Sequence, residues 1–256
     1  MTGMRLIVHQ FRYDTKIFWR NPAAVFFAIA LPLIFLFIFS TVFGNQVDPT
    51  RHIKISTYYV PGIIALGVIS VTFVTLAHAL TALRERGILK RLRGTPLPTG
   101  VFVSGRVGSS LVIALILSAV ILTIGHLVYG VAFPGAPLVG VLATIVIGAC
   151  SFCTLGFAIT VVIPNEAAAS PITNAVILPL YFISGIFFPV DTAPQWLTNV
   201  ADVFPVRPFA LALLDGFTPG TAGIGLALGH LAVVAAWGIA GLVVAVLFFR
   251  WSPQGD

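Results

Sequence analysis

The chain has 256 residues, of which 58% are apolar and only 9% are charged. A soluble domain carries roughly 25% charged residues, and 14 basic plus 8 acidic side chains cannot cover a soluble fold of this length. This composition excludes a soluble globular protein, a disordered chain, a coiled coil and a disulfide scaffold, and it leaves an all-α integral membrane protein. The net charge of +6 is concentrated in a few segments, so it reports membrane topology rather than nucleic-acid binding.

In chain order, residues 1–21 come first. Arg5, His9, Arg12, Lys16 and Arg20 recur every three or four positions and form one stripe of a helix. Met4, Ile7, Val8, Phe11 and Phe18 fall on the other side. The pattern predicts an interfacial helix in the headgroup layer, ending where the chain turns inward at Asn21-Pro22. Asp14 and the lack of a uniform apolar core argue against a cleavable signal peptide.

A helix needs about 20 apolar residues to cross the hydrocarbon core. Charge-poor runs predict six spans, at about 22–44, 59–83, 106–131, 138–163, 168–187 and 222–249. The segment Phe133-Pro-Gly-Ala-Pro137 separates the third from the fourth, and Pro164-Asn-Glu166 turns the fourth into the fifth. Pro171 and Pro179 fall inside the fifth, where neighbouring helices can satisfy the freed carbonyls. Eleven of the 14 basic residues lie on one side, in Arg5–Arg20, in Arg84–Arg106 and at Arg250. That side is expected to be cytoplasmic and to hold both termini.

Residues 84–100 join the second and third spans and carry the densest charge. Ile88, Leu89 and Leu92 share one helical face, and Gly94 with Pro96 and Pro98 ends the helix. A plain positive-inside loop has no need of an apolar stripe. A short amphipathic helix here is a docking element for a cytoplasmic partner. Residues 189–221 mix Trp196, Leu197 and Phe204 with prolines, which predicts a short extracellular re-entrant hairpin before the last span.

The segment Arg84-Glu-Arg-Gly87 with Pro96 resembles the coupling-helix region of the ABC-transporter type-2 permeases, in particular the daunorubicin-resistance-like efflux branch. So do Pro179-Leu-Tyr-Phe-Ile-Ser-Gly-Ile-Phe-Phe-Pro189, Pro194-Gln-Trp-Leu197 and Phe204-Pro-Val-Arg-Pro-Phe209. The resemblance covers the whole chain in span order. It implies a single six-span permease domain in a bacterial plasma membrane, working as one of two halves, the second being a copy or a related permease. It also implies a separate ABC ATP-binding subunit that holds ATP and Mg, and it places coupling to that subunit on Arg84, Glu85, Arg86, Gly87, Leu89, Lys90 and Pro96. In the family the first and fifth spans border a lateral opening, which nominates Phe35, Phe39, Tyr181 and Phe182 for the substrate pathway. Aromatic rings suit apolar cargo of varied shape.

The residues bear on the same point independently. None of the three lysines, Lys16, Lys54 and Lys90, precedes Ser or Thr, so the chain lacks a phosphate-binding Gly-Lys-Ser/Thr loop and is not expected to be the ATPase or any other enzyme. Cys150 and Cys153 lie mid-span as small packing residues, and no spacing of ligands supports a metal site. His78, His126 and His230 lie in or near spans without a carboxylate partner there, so interhelical hydrogen bonding outweighs a proton relay. Glu166 is placed either to cap the fifth helix or to face the partner. Gly225 and Gly229 form a weak GxxxG pair in the sixth span.

An ion-driven carrier would need midplane charges and often an inverted repeat, and neither is seen. The leading expectation is the permease of an ATP-driven exporter of amphiphilic or hydrophobic drugs or lipids. The alternatives are a polysaccharide or glycolipid exporter and a non-transporting membrane partner of an ATPase.

Overall fold

The computed structural model describes residues 3–44, 46–47, 54–95, 98–188, 193–218 and 225–252. Among these residues the protein is almost wholly helical, and six helices are long and apolar enough to cross a membrane. Helix α1 (Gly3–Trp19) precedes them. The six are α2 (Pro22–Phe43), α3 (Ile55–Glu85), α5 (Thr99–Tyr129), α6 (Leu138–Ile159), α7 (Glu166–Ile183) and α10 (Leu228–Phe248). The short α4 (Ile88–Arg93) follows α3, and α8 (Gln195–Val203) and α9 (Val206–Asp215) form an elbow bent by 94° before α10.

Helix α3 is the centre of the bundle. Thirteen of the 15 residues in Ile55–Ile69 are buried, among them Ile63, Ile64 and Val68. It packs on α2, α5, α6 and α9, and its lower half meets α7. In contrast, α2 and α10 expose much of their apolar surface, including Phe27, Phe37 and Val42 on α2 and Ile239, Val246 and Leu247 on α10. In water such surfaces would aggregate, whereas in a bilayer they are the expected coat.

Local chemistry explains the irregularities. In α2 the π turn Phe26–Ala30 sits just before Pro32, whose ring excludes the ordinary carbonyl four residues back. Helix α10 lies close on α6 because Gly238 and Gly241 present no side chain. A Cβ there would stand 2.5 Å from Ser151 Oγ and 2.9 Å from the Leu155 nitrogen. Thr154 Oγ1 uses the approach to donate to the Gly238 carbonyl at 2.7 Å. Helix α5, with 31 residues, is about 46 Å long. That exceeds a ~30 Å core by roughly three turns, and α1 docks beside its first turns.

Several helix ends differ from the sequence reading: the second crossing helix starts at Ile55 rather than near 59, the third at Thr99 rather than near 106, and the fourth ends at Ile159 rather than near 163. The last helix begins at Leu228, so Gly225 precedes it and shares no helical face with Gly229. Close helix approach is provided by Gly238 and Gly241 instead. The fifth crossing helix ends at Ile183 rather than near 187, because Gly185 takes a left-handed φ of 87° and turns the chain. The turned segment points inward, and Ile186 and Phe187 are buried in the main core. The elbow helix α9 is likewise internal, with Val206, Phe209 and Leu213 in that core.

Candidate coupling site and aromatic cluster

The turn between α3 and α4 is clamped to the turn between α6 and α7 by three consecutive residues. Arg84 is buried, only 2% exposed. Its Nη1 donates to the Thr160 carbonyl at 2.7 Å and its Nη2 to the Ile163 carbonyl, just past the end of α6. Helix C-termini leave carbonyls unpaired and carry partial negative charge, so a guanidinium fork suits this position. Glu85 does the converse, since its Oε2 accepts the backbone N–H of Glu166, the first residue of α7. Asn165 completes that helix start, with Oδ1 accepting from the Ala168 N–H at 2.8 Å. Arg86 then pairs with Glu166 at 3.2 Å, and because both side chains are largely exposed the pair contributes little. Capping of α7 is thus done by Asn165 and Glu85, while Glu166 faces Arg86.

Gly87 occupies the left-handed region at φ 67°, which lets α4 start one residue after the clamp. A Cβ there would meet nothing within 4 Å, so conformation rather than space calls for glycine. Leu89 is fully buried beside Leu76, Leu80, Phe102, Cys153 and Phe157, and Leu92 packs against the same group. Ile88, placed on that face by the sequence, is more exposed, while Lys90, Arg91 and Arg93 face outward. The coupling nominees therefore divide. Arg84 and Leu89 root α4, Glu85 and Gly87 set its start, and Arg86 and Lys90 lie on the exposed cationic surface. Pro96 lies outside the described residues.

Helix α1 keeps Arg5, Arg12 and Lys16 on an exposed stripe, which Arg20 continues just past its end, but its opposite face meets protein. One turn of α1 meets two turns of α5: Thr15 Oγ1 and Ser109 Oγ lie 3.1 Å apart, and Asp14 pairs with Arg106 at 3.6 Å with both side chains buried. Phe18 is buried, while Val8 is not on the packed face. Burial pushes the Asp14 carboxyl above its ordinary pKa, against the opposing pull of Arg106 and of the Gln10 amide. Sequence reasoning missed this pair. Its available signal was position, since Asp14 lies one turn from both Gln10 and Phe18, on the apolar face of the helix.

At the other end of the bundle the four pathway nominees gather around one ring. Phe187 lies 5.6 Å from Phe35, 6.0 Å from Phe39, 6.2 Å from Tyr181 and 5.3 Å from Phe182, centroid to centroid. Tyr59 stacks on Phe39 at 5.1 Å, and Tyr58 donates to the Gly185 carbonyl, which fixes the turn that delivers Phe187. These rings are packed against each other. A separate cavity of about 400 Å³ opens between α3, α6, α7, α10 and the elbow, lined by side chains such as Phe73, Phe152, Val176, Leu180, Phe204 and Trp237. None of its lining residues is charged, and none of the four nominees lines it. The Trp237 indole N–H is already taken by the Val203 carbonyl at 2.7 Å.

Of the histidines, His78 Nε2 lies 3.0 Å from Thr173 Oγ1 and links α3 to α7, while His126 Nδ1 lies 2.9 Å from the Val131 carbonyl. Among the described residues no group of three or more His, Cys, Asp or Glu is placed to hold a metal.

Six membrane-length helices, with a short cationic helix held against two helix ends, define a multi-pass membrane protein. The chain belongs to the ABC-2 type transporter family, whose model matches residues 6–218. It is 30% identical over 172 residues to the probable multidrug ABC transporter permease YbhR of Escherichia coli K12, covering 66% of this chain and 45% of YbhR. The chain thus spans less than half the length of that relative. It is 24% identical over 227 residues to the inner membrane transport permease YadH of the same organism, covering 88% of this chain and 84% of YadH. It is 27% identical over 205 residues to the daunorubicin resistance ABC transporter permease protein DrrB1 of Streptomyces coeruleorubidus, covering 79% and 71%.

Proposed function

We propose that this chain is the membrane-spanning permease subunit of an ATP-driven exporter that moves amphiphilic or hydrophobic molecules, drugs or lipids, out of the cytoplasm or inner leaflet. The observation that carries the reading is α4, a short helix with an outward cationic face, rooted by Leu89 and joined through Arg84 and Glu85 to the ends of α6 and α7. A partner pressing on α4 moves two crossing helices directly. The permease names of YbhR and DrrB1 support the same class. The apolar cavity of about 400 Å³ supports apolar cargo, since it falls within the 300–1,000 Å³ typical of small-molecule sites.

In this reading a separate ABC subunit binds ATP and its magnesium and docks on α4. A second permease half, a copy or a relative, completes the pathway. The basic end, with both termini, faces the cytoplasm of a bacterial cell. ATP binding and hydrolysis by the partner shift the pathway between inward and outward access.

Co-purification tests the partner: a tagged chain should bring down an ATP-binding subunit, and failure to do so sinks the assignment. Glu85→Ala tests the coupling. It should leave the protein inserted and the partner's ATP hydrolysis running while transport per ATP falls. Unchanged transport per ATP refutes the role of the clamp. Transport of a polysaccharide with no effect of amphiphiles overturns the cargo class.

A further inference from the structure

After α10 ends at Phe248, Phe249 adopts an extended backbone, with φ −61° and ψ 126°. Phe249 and Trp251 are two residues apart, a spacing that places both rings on one side of an extended segment. Phe249 packs on Phe157 at the end of α6, at 5.7 Å, and Trp251 packs on Phe102 at the start of α5, at 5.9 Å. The two rings also meet each other edge to face at 5.2 Å. Arg250, between them, is exposed. Phe102 and Phe157 belong to the buried group that holds Leu89 of α4. Phe102 carries the Arg106 guanidinium 5.8 Å from its ring centroid, so the same ring borders the α1 anchor.

From these contacts we infer that Phe249 and Trp251 are positioning residues for α4: the segment after the last crossing helix forms an aromatic clasp that completes the socket of Leu89 and ties the motor-docking helix to α10. The inference rests on the coupling reading of α4. Without the clasp, Leu89 and Leu92 sit in a socket open on one side, and the ring contacts with Phe157 and Phe102 are lost. With it, a displacement of α4 is passed to α10 through Phe102 and Phe157, as well as to α6 and α7 through Arg84 and Glu85. Crossing helices α6, α7 and α10 then respond to one docking event.

Trypsin reads the position of α4, because Arg86, Lys90, Arg91 and Arg93 all lie in or beside it. In the purified full chain, Trp251→Ala should accelerate cleavage within 86–93 on the order of tenfold relative to cleavage elsewhere. Phe249→Ala should act in the same direction, and Trp251→Phe should restore the wild-type rate. In vesicles reconstituted with the ATP-binding subunit, Trp251→Ala should keep that subunit bound and its ATP hydrolysis running, and should lower transport per ATP several-fold, again restored by Trp251→Phe. Unchanged cleavage in both alanine variants overturns the clasp. Faster cleavage with unchanged transport per ATP overturns the positioning role. A wild-type chain that recruits no ATP-binding subunit overturns the coupling reading and the positioning role with it. That failure is recognised because it appears without any substitution.

Discussion

Arg84→Met removes the guanidinium from the clamp while keeping a long side chain in its place. Two charge-assisted hydrogen bonds to backbone carbonyls are lost, from Nη1 to Thr160 and from Nη2 to Ile163. Such bonds contribute about 1.5–3 kcal/mol each. No discount for solvent applies, because Arg84, Thr160 and Ile163 are 2%, 1% and 0% exposed. The expected loss is therefore about 3–6 kcal/mol. At roughly 2–4 °C per kcal/mol for a chain of this size, melting falls by about 6 °C or more. Arg84→Lys keeps the charge but has no fork to reach both carbonyls, so it should fall between the two. The assay is thermal melting in detergent, followed by tryptophan fluorescence and by retention of the monodisperse peak. The order wild type, Lys, Met is expected. A methionine variant that melts within a degree of wild type refutes the claim that Arg84 holds the α6 end. A methionine variant that is destabilised but less so than the lysine variant refutes the fork geometry.

Gly87→Ala should cost about 1–2 kcal/mol through its left-handed φ, and Gly87→Asn less, because asparagine tolerates that region; equal melting of the two variants counts against a conformational cause. Phe187→Ala removes the ring on which four others converge and should cost about 3–5 kcal/mol, whereas Phe182→Ala, at a residue 57% exposed, should cost far less; comparable melting losses refute the hub. Asp14 holds its proton more tightly folded than unfolded, so its contribution to stability grows as pH falls from neutrality toward the ordinary value of 3.8. Melting curves between about pH 7 and pH 4.5 should show wild type gaining on Asp14→Asn as pH falls, and a constant difference contradicts the buried-carboxyl assignment.

The crossing helices were legible because the signal is strong: about 20 uncharged residues in a row have few other uses. Helix α4 was legible for a related reason, since Leu89 and Leu92 repeat at helical spacing within a charged run. The destination of each basic residue was not. Arg84 caps carbonyls 76 and 79 residues further along the chain, yet in sequence it looks like Arg86 or Arg91. What distinguishes it is phase, because Ala77, Leu80, Thr81 and Arg84 continue one buried face of α3. The aromatic cluster was partly legible. Phe35, Phe39, Tyr181 and Phe182 do converge, but the ring that joins them lies beyond the helix, where Gly185 turns the chain back. Nothing local distinguishes a glycine at positive φ from one packed inside a crossing helix, and the start of α10 was misplaced for the same reason.

The candidate coupling site and the aromatic cluster share two helices. Helix α3 carries Tyr59 at one end and Arg84 and Glu85 at the other, and α7 carries Tyr181 near one end and Glu166 at the other. Between the two sites His78 and Thr173 join α3 to α7, so the lower halves of these helices are tied together near the clamp. Above that tie the π turn Ser70–Thr75 interrupts α3 and Pro179 interrupts α7, while Pro171 lies below it, in the second turn of α7. Backbone hydrogen bonding is weakest at such points, which makes them places where a helix bends. Under the proposed coupling role, a push on α4 would carry the tied lower halves together, and the interruptions at Ser70–Thr75 and Pro179 give both helices a place to bend on the aromatic side of His78. Bending at the aromatic end would let a displacement at the other end change how those rings pack, without unfolding either helix.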